Sequence, residues 1–213
     1  EQVPPIINFI KSLGIAVLQV PDVEADDVIG TLSSHPYDSK NNIIISSGDK
    51  DLAQLVCKNV TLINSMDDKI LDIDGVTTKF GVPPKSIFDY LVLVGDKSDN
   101  IPGVDKVGPK TALSLLKEYG DLDKILANIN NLSGRLKDNF SNSLDKIEIA
   151  KKLIKLKLDV DIDCDIEKYI INKRDEKKLS QLVREYELKT IADNLSIETL
   201  AEPANRKSSY KII

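Results

Sequence analysis

Seven carboxylates stand out by their spacing. Glu24, Asp26 and Asp27 fall within four positions of "VEADDVIGTL"; Asp49 and Asp51 flank a single residue in "SSGDKDL"; Asp96 and Asp99 lie three apart in "GDKSDN". Taken singly, acids at the mouth of a helix satisfy orphan N–H groups and complement the dipole. Taken together, at one edge of a fold, they repel. Two charges ~5 Å apart cost roughly 0.8 kcal/mol even in a water-like dielectric, and more when partly buried. His35 is the only histidine and sits in a polar stretch, and few lysines lie nearby in sequence, so a histidine base is not expected. An all-carboxylate set suits hard cations, Mg²⁺ or Mn²⁺, each kept partly hydrated. Two such ions ~4 Å apart activate a water and stabilise the leaving oxygen of an in-line phosphoryl displacement.

A second chemical feature follows at once. "IPGVDKVGPKTALSLL" puts Gly103 and Gly108 in a loop between two helical stretches, and the second helix opens on Pro109, Lys110 and Thr111. Backbone N–H groups at such a helix start bind a phosphate without reading a base, and Lys106 and Lys110 add charge. The binding expected is independent of sequence and sensitive to salt.

The elements that must hold these residues are legible from periodicity. "IINFIKSLG" reads as a helix stopped by Gly14, and "IAVLQV" (Ile15–Val20) as a short buried strand ended by Pro21. A helix is expected over about Ala25–Ser33, a strand at Ile43–Ile45 and a helix over Leu52–Val56. A third strand, "VTLINS", is expected to pair with "KILDI" across the Asp67-Asp68 turn. Strands alternating with helices imply an α/β fold with a mostly parallel central sheet flanked by helices. In such sheets ligands bind beyond the carboxyl ends of the strands, where Asp49 and Asp51 fall. After Ile73 the strand signal fades. Helices are expected at Ile87–Val94, over "GPKTALSLLKEYG", "LDKILANI" and "SLDKIEIAKKLIKLKL", and over about Asp175–Tyr186. This gives an α/β core over residues 1–100, a hairpin and helical region over 101–200, and a polar linker over 201–213.

Composition excludes several classes. With 41% apolar and 30% charged residues the 213-residue chain should fold, and no run approaches the ~18 apolar residues of a membrane span. The opening "EQVPPIINFI" lacks the marks of a secretory signal and an initiator Met, which points to an internal piece of a longer chain. Cys57 and Cys164 match no metal spacing and read as free thiols. The net charge of −5 divides unevenly: residues 1–103 hold 8 Lys+Arg against 15 Asp+Glu, and residues 104–213 hold 21 against 19. An acidic half beside a mildly basic one suits a metal site next to a phosphate-binding surface. "LDVDIDCDIEKYI" fails as a calcium loop, because Cys164 stands where a Gly is needed and Ile170 where an acid is needed.

These segments together resemble the 5′-nuclease (flap endonuclease) superfamily, most closely the 5′–3′ exonuclease domain of bacterial-type DNA polymerase I. The resemblance rests on "DVEADDVIGTL", "SSGDKDLAQLV" and "GDKSDNIPGVDKVGPKTA", with support from "FGVPPKSIFDYLVLVGD" and "VTLINSMDDKIL". It implies a PIN/5′-nuclease-like fold with a helix–hairpin–helix at Ile101–Leu116. It also implies two-metal hydrolysis of phosphodiester bonds in 5′ flaps and RNA primers. Glu24, Asp26, Asp27, Asp49, Asp51, Asp96 and Asp99 match the family's metal ligands. Gly103, Lys106, Gly108, Lys110 and Thr111 match its duplex-binding hairpin, which often carries K⁺. Implied partners are branched or nicked duplex DNA and the 3′–5′ exonuclease and polymerase domains of a parent chain, in the bacterial cytoplasm. The family's first strand, with its Asp-Gly ligand, and its basic arch have no counterpart after Glu1. The alternative reading is therefore a non-catalytic, duplex-binding fragment with an incomplete metal site.

Overall fold

The computed structural model describes residues 2–37 and 41–197. The polar tail expected to be a linker lies outside them. Among the described residues two compact units form: Val20–Ile162, and the residues up to Gln19 with those from Asp163 onward.

The larger unit opens on α2 (Ala25–Ser34), one residue longer than its pattern predicts. Strand β1 (Ile43–Ser46) follows and pairs in parallel with β2 (Val60–Ile63), with Ile45 opposite Leu62. β2 then pairs antiparallel with β3 (Ile70–Leu71), the hairpin expected across Asp67-Asp68. The sheet is thus three strands in the order β1-β2-β3. The helix expected over Leu52–Val56 is a tighter 3₁₀ segment, Asp51–Leu55. Helices α3 (Ile73–Phe80), α4 (Ile87–Val94), α5 (Pro109–Tyr119), α6 (Leu122–Ala127), α7 (Gly134–Ser141) and α8 (Leu144–Ile154) complete the unit. Two of them, α3 and α7, carry a Gly in the first turns and few apolar residues, which hid them from the periodicity. The core runs from Ile45, Leu52, Val60 and Leu62 through α4 to Leu115, Ile125, Phe140, Ile147 and Ile154. Each such side chain contributes roughly 1.5–3 kcal/mol by leaving water.

The smaller unit holds α1 (Val3–Ser12), α9 (Glu176–Glu185) and α10 (Lys189–Asn194) around Leu179, Val183, Ala192 and Ile197. Ile15–Val20, expected as a strand, carries no regular structure and no ladder, with Ile15 and Leu18 exposed. A strand exists only through its ladder, and this run finds no partner among the described residues. The Asp159–Cys164 segment is irregular, as its failed calcium pattern implies.

One contact fixes the joint between α4 and α5. Gly95 ends α4 at φ 74° and lies against Gly103. A Cβ on Gly95 would stand 2.4 Å from the Gly103 nitrogen, and one on Gly103 would stand 2.4 Å from the Val94 carbonyl carbon. Just inside this contact, Asp96 and Ile101 exchange both backbone hydrogen bonds, at 2.9 and 2.7 Å, and the Val104 N–H donates to the Leu93 carbonyl at 2.9 Å. Gly108 differs: its φ is −101° and nothing lies within 4 Å of a Cβ placed there. Gly103→Ala should therefore cost about 2 kcal/mol or more of stability. Gly108→Ala should cost at most about 1 kcal/mol, the Gly-to-Ala difference at an N-cap. Chemical denaturation of the two variants measures the contrast.

Candidate metal and nucleic-acid site

The three acidic motifs meet. Asp22, Glu24, Asp26, Asp27, Asp49, Asp51 and Asp99 line one cavity of about 500 Å³, together with Ile101, Leu153, Leu156 and three lysines, Lys152, Lys155 and Lys157. Glu24 occupies the N-cap of α2 but makes no side-chain capping bond, so its carboxylate is not spent on the helix. Asp27 is buried and its Oδ1 accepts the Lys157 N–H at 2.9 Å. Thr31 reinforces that seam by accepting the Val160 N–H at 3.1 Å. Gly30 lets it close, since a Cβ there would stand 2.9 Å from Leu158. Half of Asp27 is thus committed to holding α2 against the chain after α8.

Asp49 and Asp51 leave β1 in a turn that is itself polar. The Asp49 N–H donates to Ser47 Oγ at 3.0 Å, and the Asp51 N–H donates to Asp49 Oδ1 at 2.8 Å. Asp51 Oδ1 is buried and has no hydrogen-bond partner. Burial, then the charges of Asp49 and Asp96, push the Asp51 carboxyl up to about 7, with Lys50 opposing and Asp99 adding. Asp26 is pushed up to about 6 by burial, by the charge and hydrogen bond of Asp49, and by Glu24 and Asp27.

Asp96 is the exception, and its partner went unread in the sequence. It is 3% exposed. Its Oδ2 meets Lys50 Nζ at 2.5 Å, and its Oδ1 accepts the Ser98 hydroxyl at 2.5 Å and the Ser98 N–H at 2.9 Å. Burial pushes its carboxyl up, but Lys50 and the two Ser98 bonds override that and hold it well below the ordinary range. Asp99, exposed and hydrogen-bonded to Asp96, is pushed up by that bond and that charge. Lys50 stands between Asp49 and Asp51 in the chain; the signal was visible, but its reach to Asp96 is tertiary. Charge compensation therefore comes from Lys50 on Asp96 and Lys157 on Asp27, rather than being absent, as the sparse lysines nearby in sequence had implied.

Among the described residues no group of three His, Cys, Asp or Glu side chains has the spacing to hold an ion. The donor set nevertheless fits a hard cation. Its members are oxygens that raise one another's pKa, and one buried carboxylate oxygen lacks any donor. A divalent ion relieves both conditions.

The hairpin stands beside the cavity, through Ile101. Asp105 anchors it: its N–H donates to the buried Ser143 Oγ at 3.1 Å, and its carboxylate meets Lys146 Nζ at 2.5 Å. Lys106, at φ 60°, and Lys110 remain exposed. Gly108 at the α5 N-cap leaves the first turn of that helix open to an incoming group.

Comparison with known proteins decides the family. Residues 1–81 match the 5′–3′ exonuclease N-terminal resolvase-like domain, and residues 82–177 match the 5′–3′ exonuclease C-terminal SAM fold. A 5′–3′ exonuclease of Aquifex aeolicus is 39% identical over 98% of this chain and 71% of its own length. This chain belongs to the 5′–3′ exonuclease family, a class of hydrolases. The DNA polymerase I of Pseudomonas aeruginosa is 41% identical over 99% of this chain, which spans 24% of that protein's length. The fold matches the T5 D15 protein co-crystallised with metal ions, at TM-score 0.58 and 19% identity, covering 84% of this chain and 62% of that one. It also matches the catalytic core of Rad2 in complex with DNA substrate, at TM-score 0.55 and 16% identity, covering 91% and 68%. No helix among the described residues is long and apolar enough to cross a membrane.

Two outcomes follow from the charges. Asp26 and Asp51 hold protons in the fold that the unfolded chain has released above its ordinary carboxylate pKa of 3.8. Metal-free stability should therefore fall as pH rises from about 4 to about 7. Asp51→Asn should flatten that slope and raise the melting temperature at pH 7.5, read by thermal melts in EDTA. Lys50→Ala, which leaves the buried Asp96 charge unpaired, should lower stability by about 1–3 kcal/mol at pH 7. Asp96→Asn in the same background should recover part of that loss.

Proposed function

We propose that this chain is the nuclease portion of a DNA polymerase I-type or stand-alone 5′–3′ exonuclease. It hydrolyses phosphodiester bonds in 5′ flaps and RNA primers on branched or nicked duplex DNA. The observation that carries the reading is the carboxylate-lined cavity directly beside the hairpin that starts at Ile101. Glu24, Asp26, Asp49, Asp51, Asp96 and Asp99, with Oδ2 of Asp27, would hold Mg²⁺ or Mn²⁺. When bound, such ions would supply Lewis-acid activation of a water and offset charge on the leaving oxygen. The chain's own residues do the rest. Lys50 and Ser98 keep Asp96 ionised. The Asp27–Lys157 seam holds α2 so that Glu24 and Asp26 face the cavity. The hairpin and the first turn of α5, with Gly103, Lys106, Gly108, Lys110 and Thr111, bind duplex phosphates irrespective of sequence, and the same loop would hold K⁺. The polymerase and 3′–5′ exonuclease domains of a parent chain, and a site of action on bacterial chromosomal DNA in the cytoplasm, belong to this reading.

The absence of a ready three-carboxylate group among the described residues favours a second reading: a duplex-binding module that does not cut. The two part on one experiment. Millimolar Mn²⁺ should raise the melting temperature by about 5 °C or more through preferential binding to the fold. Release of a labelled 5′ flap should require that metal and fall to background in Asp49→Asn and Asp96→Asn. Duplex binding that survives EDTA, with no metal-induced stabilisation and no cleavage, selects the second reading.

A further inference from the structure

The acid cavity contains cations that its acids do not use. Lys152, Lys155 and Lys157 line it alongside the carboxylates. Lys157 reaches Asp27 at 4.0 Å, as Lys50 reaches Asp96. Among the described residues Lys152 and Lys155 make no ion pair, although both line a cavity with seven carboxylate-bearing neighbours. Both are exposed, on the last turn of α8 and its C-cap. The same two lysines also line an adjoining cavity of about 550 Å³ with Gln54, Leu55, Phe88 and Leu122. The acids there are Asp89 and Asp123, and Asp123 is taken by Lys151 at 3.3 Å. Lys152 and Lys155 therefore form a ridge of uncommitted charge between two nucleotide-sized spaces, one of them acidic.

A nucleic-acid strand is a polyanion, and a wall of carboxylates repels it before any chemistry can begin. A cation that stays unpaired beside such a wall, while its neighbours pair, is available to the incoming phosphates. Lysine suits that task as a flexible point charge. Residues three apart on a helix stand about 5–6 Å apart at Cβ, close enough for neighbouring phosphates of one strand. Resting on the nuclease reading above, we propose that Lys152 and Lys155 are positioning residues. They bind backbone phosphates of the single strand as it enters the acid cavity, separately from the duplex grip of the α5 hairpin.

The test uses the full chain in EDTA, so that no metal or cleavage contributes, with fluorescence anisotropy on two labelled DNAs. One is a blunt duplex, and the other is the same duplex with a single-stranded 5′ tail. The Lys152→Ala/Lys155→Ala variant should bind the tailed DNA about tenfold or more weakly. The magnitude of its log–log salt slope should drop by about 1.4, the loss of two single-strand phosphate contacts. Blunt-duplex binding should be unchanged, and Lys152→Arg/Lys155→Arg should restore the tailed affinity. Lys117→Ala, on the exposed part of α5, should change neither. Parent-like affinity and slope on the tailed DNA would overturn the proposal, as would equal weakening of both DNAs. If Lys106→Ala/Lys110→Ala weakens both DNAs while the ridge variant weakens neither, the ridge proposal alone fails. If neither pair matters and Mn²⁺ gives no stabilisation, the nuclease reading fails with it. Circular dichroism melts confirm that each variant is folded.

Discussion

The larger unit depends on a place where two stretches of backbone touch with no side chain between them. At Gly95 and Gly103 the end of α4 and the start of the α5 hairpin lie too close for a Cβ on either. That contact turns the chain back on itself over eight residues, and the paired backbone of Asp96 and Ile101 closes the loop. On one side the turn buries the Asp96 carboxylate beneath Lys50. On the other it launches Val104 and Val107 into the core and leaves Lys106 outside. The acid cavity and the α5 hairpin are thus two faces of one turn. Their separation is set by backbone contact rather than by flexible side chains.

Around that turn the electrostatics are unequal by design of the neighbourhood. Asp96 is stabilised as an anion by an ammonium and two donors, whereas at Asp26 and Asp51 burial and neighbouring carboxylates outweigh any nearby cation. A fold selected for stability alone would not keep Asp51 Oδ1 buried without a donor. Unfavourable local interactions gathered in one cavity are characteristic of sites that await a ligand.

Much of this was legible in the chain. The helices at Ile87–Val94 and Pro109–Tyr119 have strong apolar periodicity and glycine stops, so their bounds could be read directly. The place of "GDKD" followed from the rule that ligands gather beyond the carboxyl ends of strands, since β1 lies where the pattern put it; that of "EADD" did not, since the run before its helix forms no strand. Three things were not legible. Ile15–Val20 is apolar enough for a strand, yet pairing depends on a neighbour the local pattern does not specify. Asp27 looked equivalent to Asp26, and only the approach of Lys157, 130 positions away, shows that its Oδ1 serves the scaffold. Lys50 sat in view between two acids, but which acid it neutralises is a matter of tertiary geometry, since Asp96 is distant in sequence and buried.

The raised carboxyls of Asp26 and Asp51 have a consequence for how the cavity exchanges with solvent. At neutral pH these oxygens are partly occupied by protons, so any cation that takes them must expel hydrogen ions. Uptake is then an exchange reaction rather than a simple association. Its apparent affinity strengthens as pH rises toward about 7 and then levels off, and its measured heat includes the ionisation heat of whatever buffer receives the protons. In this sense the cavity couples the acidity of its surroundings to its own state of charge.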